Sequence, residues 1–249
     1  MRFSAGLALT LSACWPLPAQ PPGALAVTSA VSQRDRLTFD VEWRLIHAGT
    51  AVIEAERSHA SLQLESAGMV STLMKIHDVY SVDYEDPFCA TSAVMDSQEG
   101  KRRHETKITY DRVANRAMYL ERDLLKDAVL HSSEIGTPNC VQDIVGAFMK
   151  LRAMSIEPGQ TAQIPMSDGR KSASVKIEAQ EREEVKTPLG PFKTIRFEAN
   201  MLNGVIYTRK GRAFVWLTDD ARRLPVQIRL RMQFPIGTVT LQLAKEEHP

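Results

Sequence analysis

"LTFDVEWRLIHAGTAVIEAE", Leu37 to Glu56, decides the fold. Leu37, Phe39, Val41, Trp43 and Leu45 alternate with Thr38, Asp40, Glu42 and Arg44. A period of two marks a strand with one face buried and one in water. His47-Ala48-Gly49 is expected to make the turn, and Ala51 to Glu56 to return as the second strand. The pattern then repeats along the chain, with strand-like runs at 62–65, 79–85, 88–95, 102–110 and 117–121. It resumes at 161–165, 172–183, 192–199, 206–217, 224–232 and 238–243. The connections carry turn chemistry: "DRVANR" with Asn115, the Asp-Gly pair of "SDGR" at Ser167 to Arg170, and "TPLGPF" at Thr187 to Phe192. Many short strands at even spacing, without strand–helix alternation, predict a mainly β fold: a curved antiparallel sheet or a partly open β-barrel.

One helix interrupts the strands. In "NCVQDIVGAFMKLRAM", Val141, Ile144, Val145, Phe148 and Leu151 form one apolar stripe. Asn139 is expected to cap it, with Gln142 completing a capping box. Lys150 and Arg152 suit the negative end of the dipole. A lone amphipathic helix in a β-rich chain is expected to pack on the concave face of the sheet. A second, shorter helix is expected around Val70 to Lys75. Residues 27–36 read as a polar linker, and 37–249 as a single β-rich domain.

Lys+Arg 31 against Asp+Glu 30 gives a net charge of +1, which supplies no field for nucleic acid. Aromatics at 6% are too few for a base-stacking platform. The N-terminus reads as an export signal: Arg2, then an apolar run from Phe3 to Ala13, with no further charge until Arg34. Pro16, Pro18, Pro21 and Pro22 break it before it reaches the length of a membrane-spanning helix. Two cleavage readings stand side by side. Ala24-Leu25-Ala26 has the small-x-small form that ends a signal peptide at 26, whereas Leu11-Ser12-Ala13-Cys14 has the form of a lipobox, which would end the signal at 13 and lipidate Cys14. No later run is long enough for a transmembrane helix, so the expected location is the periplasm or cell envelope, soluble or lipid-anchored. Outside the signal only Cys89 and Cys140 remain, and in an exported chain they are most simply a disulfide. The alternative, a nucleophilic thiol, lacks any recognisable signature around either cysteine.

Four segments together resemble a bacterial exported family known as domain of unknown function 3108. They are "LTFDVEWRLIHAGTAVIEAE", "VQDIVGAFMKLRAM", "EREEVKTPLGPFKTIRFEA" and "RAFVWLTDDARRLPVQIRLRM", in family order over roughly 37–243. The resemblance implies an exported antiparallel β domain with an embedded helix, similar to periplasmic lipoprotein carriers whose curved sheets cradle acyl chains. It brings no established activity and no catalytic residues. The cysteine pairing rests on compartment, not on the resemblance.

The family-signature turn holds Asp219, Asp220, Arg222 and Arg223. Paired carboxylates suit glycoside hydrolysis, but neighbouring strand residues point to opposite faces. A turn in which the acids bind local backbone and the arginines is the simpler reading. Asp143 sits in the first turn of the helix, where the dipole stabilises it without further role. His47, His59, His77, His104, His131 and His248 show no ligand spacing, so no metal, cofactor or catalytic group is expected. "EGKRRHETK", Glu99 to Lys107, is the densest basic run; its Arg102 and His104 are candidate headgroup contacts, against the plainer reading of a solvated strand. Arg229 and Arg231 share the polar side of a strand whose other face is Leu224, Val226, Ile228, Leu230 and Met232, grouped by pattern with Trp43, Phe214 and Trp216. The expected function is that of a non-enzymatic envelope protein binding a lipid or acyl chain. The alternative is an assembly factor acting through contacts with other envelope proteins.

Overall fold

The computed structural model describes residues 34–85, 88–200, 211–233 and 237–247. The expected signal peptide, Cys14 and residues 27–33 of the expected linker lie outside them, as does the start of the expected strand 206–217. Asp35 and Arg36, placed in the linker by sequence, already belong to the first strand.

The first half is a run of antiparallel strands: β1 (Asp35–Trp43), β2 (Ile46–Ala55), β3 (His59–Ser66), β4 (Ile76–Glu85), β5 (Cys89–Glu99), β6 (Arg102–Asp111), β7 (Arg116–Asp123) and β8 (Ala128–Gly136). Helix α1 (Gly68–Leu73) stands between β3 and β4, and α2 (Ile144–Ala153) between the halves. The second half comprises β9 (Thr161–Ser167), β10 (Ser172–Thr187), β11 (Gly190–Ala199), β12 (Gly211–Thr218), β13 (Pro225–Met232) and β14 (Thr238–Glu247). All belong to one sheet, in the order β8-β7-β6-β5-β4-β3-β2-β1-β14-β13-β12-β11-β10-β9. The two halves are thus joined by β1 pairing with β14, and among the described residues β8 and β9 are left as edges.

The sheet curls until its second half faces its first. Tyr110 on β6 donates through its hydroxyl to the Ser167 carbonyl at the end of β9, 3.1 Å away. Arg170, in the β9–β10 turn, lies over the Tyr119 ring of β7 at 5.6 Å. Between β5 and edge strand β9, the segment 140–142 acts as a strap. Gln142 donates its N–H to Pro165 and accepts from Ser167 N–H, while Ala90 N–H binds the Val141 carbonyl. Cys140 is bonded to Cys89, their Cα atoms 4.9 Å apart. This capture keeps 140–142 extended, so the helix begins later than its sequence suggests. Its cap is Asp143, not Asn139, which instead donates to the Arg112 carbonyl.

Helix α2 fills the hollow. Ala147 and Leu151 pack among the inward residues of β9–β13, and Val145 and Met149 among those of β2–β7. Phe148 touches both groups and the third cluster, built on Leu37, Phe39 and Val41. With core on several sides, the helix buries more than the expected stripe, and Ile144, counted in that stripe, is its one exposed position.

Two features of Leu37 to Glu56 differ from expectation. The chain reverses at Arg44 and Leu45, closed by the pair Trp43 and Ile46, not at His47-Ala48-Gly49. Both turn residues take positive φ, 50° and 68°, as a tight hairpin turn demands, and Leu45 is 92% exposed. Gly49 instead permits close backbone approach: a Cβ there would lie 1.9 Å from the Glu65 carbonyl oxygen and 2.9 Å from Ser66 Cα. Strand β3 cannot keep its register against such a group. Gly49→Ala is therefore expected to cost about 3 kcal/mol in urea unfolding, and a change below about 1 kcal/mol would refute this contact as the reason for glycine. Strand β8 was not foreseen, because Val129 and Leu130 are adjacent and break the alternation. The grouping of Phe214 and Trp216 with Leu224, Val226 and Trp43 holds in the packing, where all join the third cluster, but not in the pleat. Val215 and Leu217 face the hollow, while Phe214 and Trp216 pair with Arg229 and Gln227 on the outer face.

Candidate functional site

An apolar recess of about 660 Å³ lies at one rim of the sheet. The ends of β1, β3 and the starts of β2, β4 and β14 converge there, and α1 lies across them. Val41, Trp43, Leu64, Val70, Ile76 and Val239 line it, with Gly49 at its wall. The side chains come from the inward-facing positions of successive strands, so the same alternation that builds the core builds this cavity where no helix fills it. Helix α1 buries none of its residues, and it leaves Met69 63% and Leu73 74% exposed. Only Val70 of its apolar residues packs, half-buried against the third cluster, and the helix covers an unfilled space. Polar groups stand at the mouth. The Arg44 guanidinium lies 5.1 Å from the Trp43 ring centroid, and Glu65 is 3.0 Å from His77 Nδ1.

Arg102 and His104 do not line this recess. The register Ile76–Glu99–Arg102 puts Arg102 on the same rim, two strands further along. His104 Nδ1 stands 3.3 Å from Glu121 Oε1. The recess itself was not legible residue by residue, because six separate segments contribute to it. The only sequence signal was the inward stripe of each strand.

The family-signature turn is a closed hydrogen-bonded unit. Asp220 Oδ1 accepts from Thr218 Oγ1 at 2.7 Å and from Arg222 N–H at 3.0 Å. Thr218 Oγ1 accepts from Leu224 N–H at 2.9 Å. Asp219 turns away to Arg182 Nε, 2.7 Å distant. The two carboxylates therefore do not converge on one point. Arg223 takes φ 48° and lays its guanidinium over Phe197 at 5.1 Å. Its carbonyl accepts from Arg152 Nε at 3.2 Å, which fastens the turn to α2. A recess of about 330 Å³ beside the turn is walled by charges of both signs, Arg152 and Arg223 against Glu157, Asp219 and Asp220.

Asp143 is buried at the start of α2. Its oxygens accept from Val145 N–H, Gly146 N–H and Tyr80 Oη, each at 2.9 Å. Burial pushes its carboxyl up from the usual range, and these donors pull it back in part. Burial, and then the Asp143 charge, hold the phenols of Tyr80, Tyr84 and Tyr110 well above theirs. With these bonds Asp143 caps the helix. Among the described residues no three His, Cys, Asp or Glu side chains gather as a metal-binding group. No described helix is long and apolar enough to cross a membrane.

A comparison with curated proteins finds no match. Among solved structures, the chain is similar to a β-barrel-like protein of domain of unknown function 1849 from Brucella abortus. The TM-score is 0.55 at 7% identity, over 87% of this chain and 98% of that one. A DUF1089 family protein from Pseudomonas aeruginosa gives a TM-score of 0.40 at 12% identity, over 74% and 90% of the two chains. At these identities the first likeness speaks for the fold alone, and the second carries no argument. Residues 38–244 match the model of a protein family of unknown function, DUF3108, and the chain belongs to that family.

Proposed function

We propose that this is a non-enzymatic protein of the cell envelope that binds a hydrophobic, lipid-like ligand in the apolar recess beneath α1. The observation that carries this reading is the recess itself: about 660 Å³ walled by apolar side chains, within the size range of ligand sites, under a short helix that buries nothing. The signal-like N-terminus and the Cys89–Cys140 bond support an oxidising, extracytoplasmic setting. Arg44, stacked on Trp43 at the mouth, suits the polar end of an amphipathic ligand.

Val70→Trp tests the reading. Val70 lines the recess from α1, a helix with no fully buried residue, so added bulk there can enter the open space. The larger ring should fill the space and lower affinity for a fluorescent fatty acid by at least about tenfold, roughly 1.4 kcal/mol, with the thermal midpoint little changed. Native mass spectrometry of protein taken from its own envelope should show co-purifying lipid, lost in the variant. Unaltered probe binding by a folded variant would remove the recess as the site.

A second reading has its own observation. Strand β8 is a free edge among the described residues, with Val129 58% and Leu130 47% exposed. Such an edge accepts a strand from a partner, which suits an envelope assembly factor. Crosslinking from Val129 in intact cells should then capture one dominant protein, and a diffuse pattern would count against this reading.

A further inference from the structure

A second recess, of about 140 Å³, lies on the outer face of β11–β13. Arg196, Arg212, Arg229 and Arg231 wall it around Phe214 and Trp216, with no carboxylate among its lining. The register sets Arg212 directly opposite Arg231, a like-charged cross-strand pair that repels. The guanidiniums of Arg212, Arg231 and Arg196 lie 5.0, 5.4 and 5.9 Å from the Phe214 centroid. That of Arg229 lies 5.1 Å from Trp216. Burial, and then the Arg231 charge, pull the Arg229 guanidinium below its ordinary pKa.

The counter-charges are unevenly shared. Glu198 binds Arg212 through two bonds of 2.5 and 2.7 Å, and Glu181 lies 2.6 Å from Arg196. Glu183 Oε1 accepts from Trp216 Nε1 at 2.7 Å and from Arg196 Nη1 at 3.4 Å, and the charges of Glu183 and Glu42 reach Arg229 from further away. Among the described residues, Arg229 and Arg231 have no carboxylate at ion-pair distance. The adjoining segments 201–210 and 234–236 contain neither Asp nor Glu. Covering two aromatic rings accounts for stacked guanidiniums. It does not account for crowding four of them with two beyond ion-pair distance of any described carboxylate.

We propose that this recess binds a phosphate group, held chiefly by Arg229 and Arg231 with the pre-oriented Arg196 and Arg212 in support. The guanidinium fork matches phosphate oxygens in pairs, and forks converging from three strands suit a tetrahedral anion better than a planar carboxylate. The volume admits such a group and excludes an acyl chain. The group is either free phosphate or the headgroup of a phospholipid. The site lies on the opposite face of the sheet from the apolar recess, and the inference does not rest on the lipid reading.

The test compares the wild-type chain with Arg229→Gln/Arg231→Gln. Calorimetric titration with inorganic phosphate at low ionic strength should show binding that falls by at least about tenfold in the variant, because two charge-assisted contacts are lost. Phosphate should raise the thermal midpoint of the wild type only. Without ligand the variant should be no less stable, since a repulsive pair is relieved; a marked loss of stability would assign these arginines to covering Trp216 and Phe214 instead. Flotation with phosphatidylglycerol against phosphatidylcholine vesicles separates the sources. Phosphate-competed binding to the former identifies a headgroup site, and calorimetric binding without flotation identifies a soluble phosphate. Equal affinity for phosphate in wild type and variant, equal affinity of the wild type for phosphate and acetate, or no binding at all would overturn the proposal.

Discussion

Asp35→Ala should destabilise the fold by about 4 kcal/mol, the range found when one partner of a buried ion pair is removed. Arg152, in the last turn of α2, has a side chain only 3% exposed, and its Nη2 donates to Asp35 Oδ2 at 3.1 Å. Burial pulls its pKa down and Asp35 raises it again, but a guanidinium stays charged at neutral pH. Deleting the carboxylate leaves that charge in the interior, with the Arg223 carbonyl still bound to Nε. Arg152→Met removes the charge itself and keeps most of the packing volume, so it should cost less, about 2 kcal/mol. Asp35→Leu/Arg152→Met should lie within about 1 kcal/mol of the wild type. Urea unfolding of the three variants gives the comparison. Additive losses would mean that the two side chains do not act as a pair. The pair matters beyond its energy because it ties three distant parts of the chain: the first strand, the embedded helix and the family-signature turn. The motif that resembles a charged active site is held to the core through Arg152, with Asp220 committed to its own turn and Asp219 to Arg182 on β10.

How far the sequence reached depends on whether a residue's partners are local. Leu37, Phe39 and Val41 alternate because a single sheet has one wet and one dry face, and that is visible without knowing what lies opposite. The position of α2 was legible for a similar reason. Its cap was not, because Cys140 to Gln142 are captured by β5 and β9, which sequence spacing does not reveal. At Gly49 the residue type was informative but its cause was not: a glycine that resembles a turn residue is there for the Glu65 carbonyl. The turn falls on Arg44 and Leu45, against their local preference, since the strands' pairing demands a reversal there. The arginine recess was half visible. Arg229 and Arg231 were read as one polar face, and Phe214 and Trp216 were grouped with Leu224 and Val226, with which they do pack, but the register sets both rings on the arginine face. Only the cross-strand register brings those rings and four arginines together.

Loss of the disulfide, by Cys89→Ser/Cys140→Ser, should cost about 4 kcal/mol in the chain-entropy account. The bond closes a loop across a sequence separation of 51 residues, spanning β5 to β8. In the native state the strap is held independently: Ala90 N–H to the Val141 carbonyl at 2.9 Å, and Gln142 to Pro165 and Ser167 at 2.8 and 2.9 Å. Those hydrogen bonds survive the substitution, so the native sheet should keep its curl, and the effect should fall on the unfolded chain, which gains the freedom of the opened loop. Two measurements separate this from a local role. Denaturant unfolding with and without reductant gives the total loss. Amide exchange at Thr161–Ser167 under native conditions reports whether edge strand β9 has come free. The expected result is a large global loss with protection of β9 falling only as much as global stability does. Protection lost at β9 alone would show that the disulfide fastens the edge directly. A global loss under about 1 kcal/mol would show that the loop is already restricted in the unfolded chain. In either case the reduced protein is the weaker one, so a fold with this bond is best suited to a compartment that forms it.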